Sequence, residues 1–160
     1  MLIRAATPRD FPAIWPIIKP VIRAGETLTL DPDLTADGAR AYWFGADKEV
    51  FVAEADGVAL GTYYLRANQT GGGRHVCNAG YVTGANATGR GVARAMGLHS
   101  IEHAGARGFR AIQYNFVVSS NERAVRLWQS LGFEIVGRLP EAFEHPALGF
   151  VDALVMVRRL

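Results

Sequence analysis

The sequence predicts a mixed α/β fold, in which a mostly antiparallel sheet carries helices on both faces. Strand-like apolar runs and helix-like periodic runs follow one another in the order β, α, α, β, β, β, α, β, α, β, β. Three consecutive strands are typical of antiparallel pairing, whereas the later strand–helix–strand stretch requires one parallel crossover. The length of 160 residues is sufficient for a full core, so we expect a single domain, residues 1–160.

The first elements are a strand and a proline-containing helix. Leu2–Ala6 is an apolar strand, and Thr7 with the following proline begins a helix that runs towards Arg23. Pro16 and Pro20 are expected to kink or split this helix, because proline lacks the N–H that the helical ladder needs.

The other elements follow from the same periodicities and from turn residues. A polar loop over residues 26–34 precedes a helix capped by Thr35, and Asp56-Gly57 is the tight turn of a hairpin. The last two strands are expected to be joined by a long loop, residues 140–149. The predicted strands are 49–55, 58–66, 75–82, 109–118, 133–139 and 150–157, and the further helices are 35–44, 92–104 and 120–131.

Composition excludes several classes of protein. Apolar residues make up 49% of the chain and charged residues 20%, an ordinary globular balance. The net charge of +2 is too small to indicate a nucleic-acid partner. No apolar run reaches the roughly 18 residues of a membrane span, and the N-terminus lacks the pattern of a signal peptide. We therefore expect a cytoplasmic protein with neither membrane nor nucleic acid as partner.

A metal site is not expected. His99 and His103 lie one helical turn apart, a spacing compatible with metal binding. Only Glu102 is available nearby as a further ligand, and the single cysteine, Cys77, lies elsewhere.

The most informative feature is the stretch Thr88–Ala93, which lies between an apolar strand and a long helix. A helix N-terminus leaves about four N–H groups unpaired and carries roughly half a positive charge, so it suits a phosphate. Glycine permits the backbone angles and the close approach that such a loop requires. The plain alternative is a tight turn that holds no ligand. The candidate anion-binding residues are Thr88, Gly89, Arg90, Gly91, Val92 and Ala93.

Three phosphate-binding patterns compete for this loop. The ATP-binding pattern Gly-x-x-x-x-Gly-Lys-Ser/Thr does not occur, and the dinucleotide fingerprint lacks its third glycine. The third pattern is Gln/Arg-x-x-Gly-x-Gly/Ala, which Gly91 and Ala93 match, although Thr88 stands where Gln or Arg is usual. A second segment, Asn121–Phe133, is similar to the pattern Asn-x-x-Ala-x-x-x-Tyr followed by Gly-Phe. On these two segments the chain resembles the GCN5-related N-acetyltransferases over nearly its full length.

This resemblance implies an acetyl-CoA site where the strands before and after the loop splay apart. Backbone N–H groups of the loop would hold the pyrophosphate, and the edge of the preceding strand would pair with the pantetheine amides. Asn121 would bond the pantetheine arm, and its plain alternative is a helix N-cap. Outside the loop, the implied acetyl-CoA-binding residues are Tyr81, Val82, Thr83, Asn121, Arg123 and Trp128.

Two departures from the family pattern concern proton transfer. Many members have a Glu as general base where this chain has Asn78, and a Tyr as acid for the thiolate where it has Trp128. We therefore predict catalysis by positioning, with Asn78 and Asn115 binding substrate or a water molecule. A backbone N–H near Val82 would polarise the thioester carbonyl. The alternative for both asparagines is a buried amide that pairs with neighbouring backbone.

The acceptor site is expected beside the loop between the first two helices. Tyr63 and Tyr64 are adjacent in one strand, so only one of them can face the cleft. The long loops 26–34 and 140–149 could close the site over a small molecule. The candidate substrate-binding residues are Glu26, Thr27, Leu28, Tyr64, Asn78 and Asn115.

A narrower resemblance is to the fungal acetyltransferases of azetidine-2-carboxylate. It rests on the stretches Gly61–Leu65 and Asn78–Tyr81 and on the trio Asn78, Asn115 and Asn121. It implies transfer of an acetyl group from acetyl-CoA to the amine of a small molecule, an amino acid or a toxic proline analogue, in detoxification. Two alternatives stay open: a non-catalytic acetyl-CoA sensor, and a protein or peptide N-acetyltransferase. The oligomeric state is also open, with a homodimer as one alternative.

Overall fold

The computed structural model describes residues 1–160 as seven strands and four helices around one sheet. The sheet has the strand order β1-β2-β3-β4-β5-β7-β6. All neighbouring strands are antiparallel except β4 and β5, which are parallel, so the predicted fold class and the single parallel crossover are confirmed. The strands are β1 Leu2–Ala5, β2 Glu49–Ala55, β3 Val58–Ala67, β4 Val76–Thr83, β5 Ala111–Val118, β6 Glu134–His145 and β7 Gly149–Arg159. The helices are α1 Phe11–Ala24, α2 Ala36–Trp43, α3 Val92–Ala106 and α4 Glu122–Ser130.

Helices cover both faces of the sheet and bury a separate apolar cluster on each. The cluster on the α1 and α2 face includes Ile14, Ile18 and Trp43, all nearly inaccessible to solvent. The cluster on the opposite face, under α3 and α4, is larger and includes Met96 and Trp128. Because side chains alternate along each strand, two layers of core result from one sheet. None of the four helices is long and apolar enough to cross a membrane.

Helix α1 is continuous through its prolines, so the expected split does not occur. Pro12, Pro16 and Pro20 recur at every fourth residue and all lie on the exposed side of the helix. The backbone groups left without partners by these prolines therefore face solvent, where water satisfies them, and the buried side keeps its packing. Gly25 ends α1 in the left-handed conformation, at φ 63°, as the sequence predicts for a helix stop.

The expected long loop over residues 140–149 is also wrong, because most of it is strand. β6 extends to His145, and a short turn leads directly to β7. The register of the β6–β7 pair shifts between Leu139 and Phe143, where Glu141 adopts a positive φ of 49°. A bulge on an edge strand tolerates Pro140, which is why a residue that indicates a loop lies within a strand here.

Candidate functional site

A gap between two central strands creates the candidate site. β4 and β5 pair only at Val76↔Ala111 and Cys77↔Ile112, and beyond these pairs the strands diverge. β5 also carries a register shift against β7 between Tyr114 and Val117. Bulges re-aim side chains, and five consecutive residues of this strand, 114–118, line one cavity. A regular strand would present only every second one to a single face.

The loop before α3 has the geometry of an anion cradle. Gly89 and Gly91 adopt φ values of 81° and 77°, which L-residues rarely tolerate, and a Cβ at either position would meet open space. Gly91 is the N-cap of α3, so the N–H groups of the first turn point out of the helix beyond it. The N–H of Arg90, by contrast, donates to the Ala87 carbonyl over 3.3 Å. Arg90 is exposed and lines neither of the two cavities described below.

The diverging edge of β4 supplies further free N–H groups. The N–H of Asn68 donates to Val76 and that of Gly84 donates to Leu60, so even-numbered residues of β4 pair with β3. The N–H groups of Tyr81 and Thr83 therefore face the gap. The backbone N–H and C=O of Val82 face β3, and its side chain is buried in the apolar cluster under α1 and α2. The free backbone N–H groups near Val82 are therefore those of its two neighbours.

Two cavities meet at the gap. One, of about 430 Å³, is bounded by the loop and the N-termini of α3 and α4. The other, of about 290 Å³, lies towards α2 and the loop after α1. Residues from β4 and α4 line both cavities, so a molecule in one can reach a molecule in the other. The shared lining residues are Tyr81, Asn121, Ala124 and Trp128.

Asn78 and Asn115 both line the smaller cavity, as the sequence predicts for a shared cleft. Asn115 donates from Nδ2 to Asn68 Oδ1 over 2.6 Å and accepts at Oδ1 from Gln113 over 2.9 Å. Asn78 accepts at Oδ1 from the N–H of Ala79 over 2.8 Å. The neighbours hold both amides in place and leave donor capacity on each Nδ2 for a ligand.

Most of the other predicted residues are found at the cavities. Asn121 caps α4 by accepting from the N–H of Ala124 over 3.3 Å, and it also lines both cavities. Tyr64 faces the smaller cavity, whereas Tyr63 points to the α3 face. Glu26 is exposed and lines neither cavity. The further predicted residues that line a cavity are Thr27 and Leu28 in the smaller one and Thr88, Val92, Ala93 and Arg123 in the larger one.

Sequence reasoning missed an aromatic group around Trp128. Tyr81 and Tyr114 lie 4.8 and 4.9 Å from its ring centroid, and their hydroxyls are 3.0 Å apart. The Tyr81 hydroxyl is also 2.6 Å from Ser100 Oγ of α3. Burial raises the pKa of Tyr81 to about 12, so this phenol is protonated at neutral pH and can donate a hydrogen bond.

The smaller cavity contains no carboxylate or imidazole that could act as a general base, and its titratable groups other than Arg66 are tyrosine phenols. Its walls include no Asp, Glu, His, Lys or Cys side chain, and Arg66 is the one ionised residue among them. The sequence gives no signal for Arg66, because an arginine near a strand end is typical of an exposed position. Further lining residues that the sequence analysis did not name are Tyr42, Trp43, Phe116 and Val117 in this cavity and Arg94 and Leu127 in the larger one.

His99 and His103 of α3 lie within hydrogen-bonding distance of protein side chains. The Tyr63 hydroxyl lies 2.6 Å from His99 Nδ1, and His103 Nε2 lies 2.9 Å from Glu49 Oε2. No group of three or more His, Cys, Asp or Glu side chains is arranged to hold a metal ion.

Comparison with known proteins specifies the class of protein to which this fold and site belong. Residues 14–133, three quarters of the chain, match the family described as "Acetyltransferase (GNAT) family". The chain therefore belongs to the GNAT acetyltransferase family, a class of acetyl-CoA-dependent N-acyltransferases.

Individual relatives agree with this assignment. The chain is similar to a GCN5-related N-acetyltransferase from Kribbella flavida, with 45% identity, a TM-score of 0.93, and coverage of 99% of this chain and 97% of that one. A phosphinothricin acetyltransferase from Sinorhizobium meliloti, solved with acetyl-CoA, shares the fold at 20% identity and a TM-score of 0.88, over 99% and 88% of the two chains.

A curated relative is the N-acetyltransferase aca1 of Schizosaccharomyces pombe, 29% identical over 97 residues. The match covers 60% of this chain and 46% of that protein, so the chain spans about half the length of this relative.

Proposed function

We propose that this protein transfers the acetyl group of acetyl-CoA directly to the amine of a small molecule, an amino acid or a proline analogue such as azetidine-2-carboxylate. The observation that carries the proposal is the junction of two cavities at Tyr81, Asn121 and Trp128. One cavity has an anion-binding helix N-terminus, and the other has amide side chains. A donor and an acceptor can therefore meet without a covalent enzyme intermediate.

The larger cavity fits acetyl-CoA. Its left-handed glycines, Gly89 and Gly91, leave the first turn of α3 open to a pyrophosphate. Arg94 and Arg123 line the same cavity and add positive charge for phosphate groups. The free backbone edge at Tyr81 and Thr83 suits the amides of a pantetheine arm. When bound, acetyl-CoA supplies an acyl group already activated as a thioester.

The chain contributes positioning and hydrogen-bond donors. The N–H groups of Tyr81 and Thr83 face the gap, where they can stabilise charge that develops on a carbonyl oxygen. Asn78 and Asn115 orient the acceptor from the other side, and orientation alone can contribute several kcal/mol. Trp128 offers an indole N–H at the junction of the cavities. The smaller cavity, called the acceptor cavity from here on, has no carboxylate or imidazole base, so the amine loses its proton to water.

A substrate panel tests the proposal. Purified protein is incubated with acetyl-CoA and a set of amines that includes proline, azetidine-2-carboxylate, simple alkylamines and short peptides, and thiol release is followed. We expect turnover with one or more small amines and acetylation at nitrogen by mass spectrometry. Acetyl-CoA binding without turnover of any amine would indicate the sensor alternative, which the lack of a base in the cavity motivates.

Turnover of peptides alone would indicate the protein-acetylating alternative. The strand structure of residues 140–145 removes the expected lid over a small molecule at that point, so peptides belong in the panel. The homodimer and the cytoplasmic, detoxifying role stay predictions. Sedimentation analysis of the purified protein decides the oligomeric state.

A further inference from the structure

Arg66 has an unused hydrogen-bonding edge beside the acceptor cavity. It lines this cavity, and its Nε is buried without a hydrogen-bond partner. Its Nη1 donates to Asp47 Oδ2 over 3.2 Å. The edge formed by Nε and Nη2, which matches the two oxygens of a carboxylate, is therefore not used by this ion pair. A buried donor without a partner is costly, so a ligand in this cavity that supplies an acceptor to Nε would be stabilised.

The register of the sheet places Arg66 next to the proposed acceptor residues. Arg66 lies directly opposite Asn78 in the β3–β4 pair, so the two side chains are neighbours on one face. Tyr64, two residues earlier on β3, shares that face and lines the same cavity. A group held by Arg66 would thus be within a small molecule's length of Asn78.

Local charge at this position is positive. Arg66 is the one ionised side chain among the residues that line the cavity. Lys48 lies nearby, with its Nζ 5.5 Å from the Tyr64 ring centroid and 4.7 Å from that of Tyr42. One acid, Asp47, pairs with both cations, which leaves a formal surplus of one positive charge among these three side chains.

We propose that Arg66 binds the carboxylate of the acceptor, so that the substrates are amino acids and not simple amines. This inference rests on the proposed acetyltransferase function and specifies its substrate class. A carboxylate would complete the hydrogen bonds of Nε and balance the surplus charge. Pairing with Arg66 also removes the carboxylate's stabilising effect on the substrate's own ammonium, which lowers the amine pKa and eases loss of its proton.

The test compares an acid with its amide. Azetidine-2-carboxylate and azetidine-2-carboxamide have the same ring and differ in the group that Arg66 would hold. For the wild type, we expect a higher kcat/KM with the acid. Arg66→Gln should lower kcat/KM for the acid by about 10- to 100-fold, mainly through KM, and change that for the amide by less than about threefold. Arg66→Lys should retain part of the preference, because it keeps the charge but not the fork.

Controls separate recognition from structure. Arg126→Gln removes another arginine of an exposed ion pair, with Glu122 on α4 outside both cavities, and should change neither substrate. Circular dichroism and acetyl-CoA titration verify folding and the other cavity. Equal losses for the acid and the amide, or no loss for either, would overturn the proposal.

A binding measurement keeps this inference separate from the acetylation itself. Calorimetric titration of the CoA-bound protein with acid and amide requires no turnover. Wild-type protein that turns over no amine but binds the acid more tightly, with the difference lost in Arg66→Gln, contradicts the function and supports the carboxylate site. Turnover of acid and amide at equal rates and affinities supports the function and overturns the carboxylate site.

Discussion

Asn115 occupies the position on which the proposed orientation of the acceptor depends most. It lies in the bulged part of β5, and its amide is fixed between Gln113 and Asn68. A side chain held by two partners loses little further freedom when it binds a ligand, so it is suited to positioning. Asn78 is held by a local bond to Ala79 and faces the same cavity.

Replacement of Asn115 tests this role. Asn115→Ala should lower kcat by about tenfold or more, since one orienting hydrogen bond to the acceptor is lost, and should leave the Kd of acetyl-CoA within about twofold. Steady-state kinetics and calorimetry measure the two quantities. Gln129→Ala, at an exposed site on α4 outside both cavities, is the matched control. Unchanged kinetics in the Asn115 variant would remove it from the site.

The strand–loop–helix unit before α3 is the element on which the proposed acetyl-CoA site depends. Two of its residues have a positive φ, which favours glycine at both positions, and the N-terminus of α3 provides N–H donors for an anion. The spread between β4 and β5 is the second requirement, because only there does a strand edge remain free in the middle of a sheet.

Gly91→Val should abolish acetyl-CoA binding. The left-handed conformation at φ 77° costs a β-branched residue at least about 1–2 kcal/mol, and the added side chain would occupy the open space above the first turn. Calorimetry measures binding, and circular dichroism verifies that the variant is folded. Gly105→Ala is the control, since Gly105 lies in α3 with open space around it and no positive φ. Normal acetyl-CoA affinity in folded Gly91→Val would contradict the loop's role.

His99, which lies where α3 packs against β3, is expected to make the free energy of unfolding depend on pH. Burial and then the neighbouring His103 lower the pKa of His99, against an opposing effect of Glu102, and the Tyr63 hydroxyl faces its Nδ1. The unfolded chain then takes up the proton at a higher pH than the folded one. This contribution to stability is therefore present above about pH 6.5 and is lost as the pH falls through the folded-state pKa.

Urea unfolding at about pH 5 and about pH 7.5 measures this contribution. When the pH falls from about 7.5 to about 5, we expect the free energy of unfolding to decrease less in His99→Gln than in the wild type. His75→Gln, in the exposed turn before β4, is the matched control substitution. An equal pH dependence in His99→Gln and the wild type would assign the effect to other groups.

In the molecule as a whole, the sheet separates two tasks. Its α3 and α4 face carries the anion-binding loop, and its α1 and α2 face carries Tyr64 and Arg66. The two faces of the sheet are open to each other only at the gap where β4 and β5 diverge. In the proposed function this arrangement brings donor and acceptor together from opposite sides, with no carboxylate or imidazole base in the acceptor cavity.

The missing base predicts the pH profile of turnover. The value of kcat/KM should rise about tenfold per pH unit up to the pKa of the acceptor amine, because the unprotonated amine is the reactive form. Profiles with two acceptors of different amine pKa should be displaced from each other by that difference. A common midpoint for both acceptors would instead report a basic group of the protein.

Local chemistry made some features predictable. Gly89, Gly91 and the N-cap Asn121 lie within short stretches whose turn and capping preferences are encoded by neighbours in sequence, and the structure shows these conformations. The continuity of α1 and the strand at 140–145 were not predictable in this way. Exposure of the prolines and pairing of β6 with β7 override local preference, and neither is visible in a short window.

Two motifs and the order of elements in the sequence were sufficient for the fold class and for the backbone conformation of the loop before α3, since both depend on local backbone chemistry. The acceptor cavity could be recognised only in the folded chain. Its walls come from α2, β3, β4, β5 and α4, which are far apart in sequence. Arg66 is the clearest case. Its side chain became informative only when antiparallel pairing placed it across from Asn78, with a buried Nε and no partner.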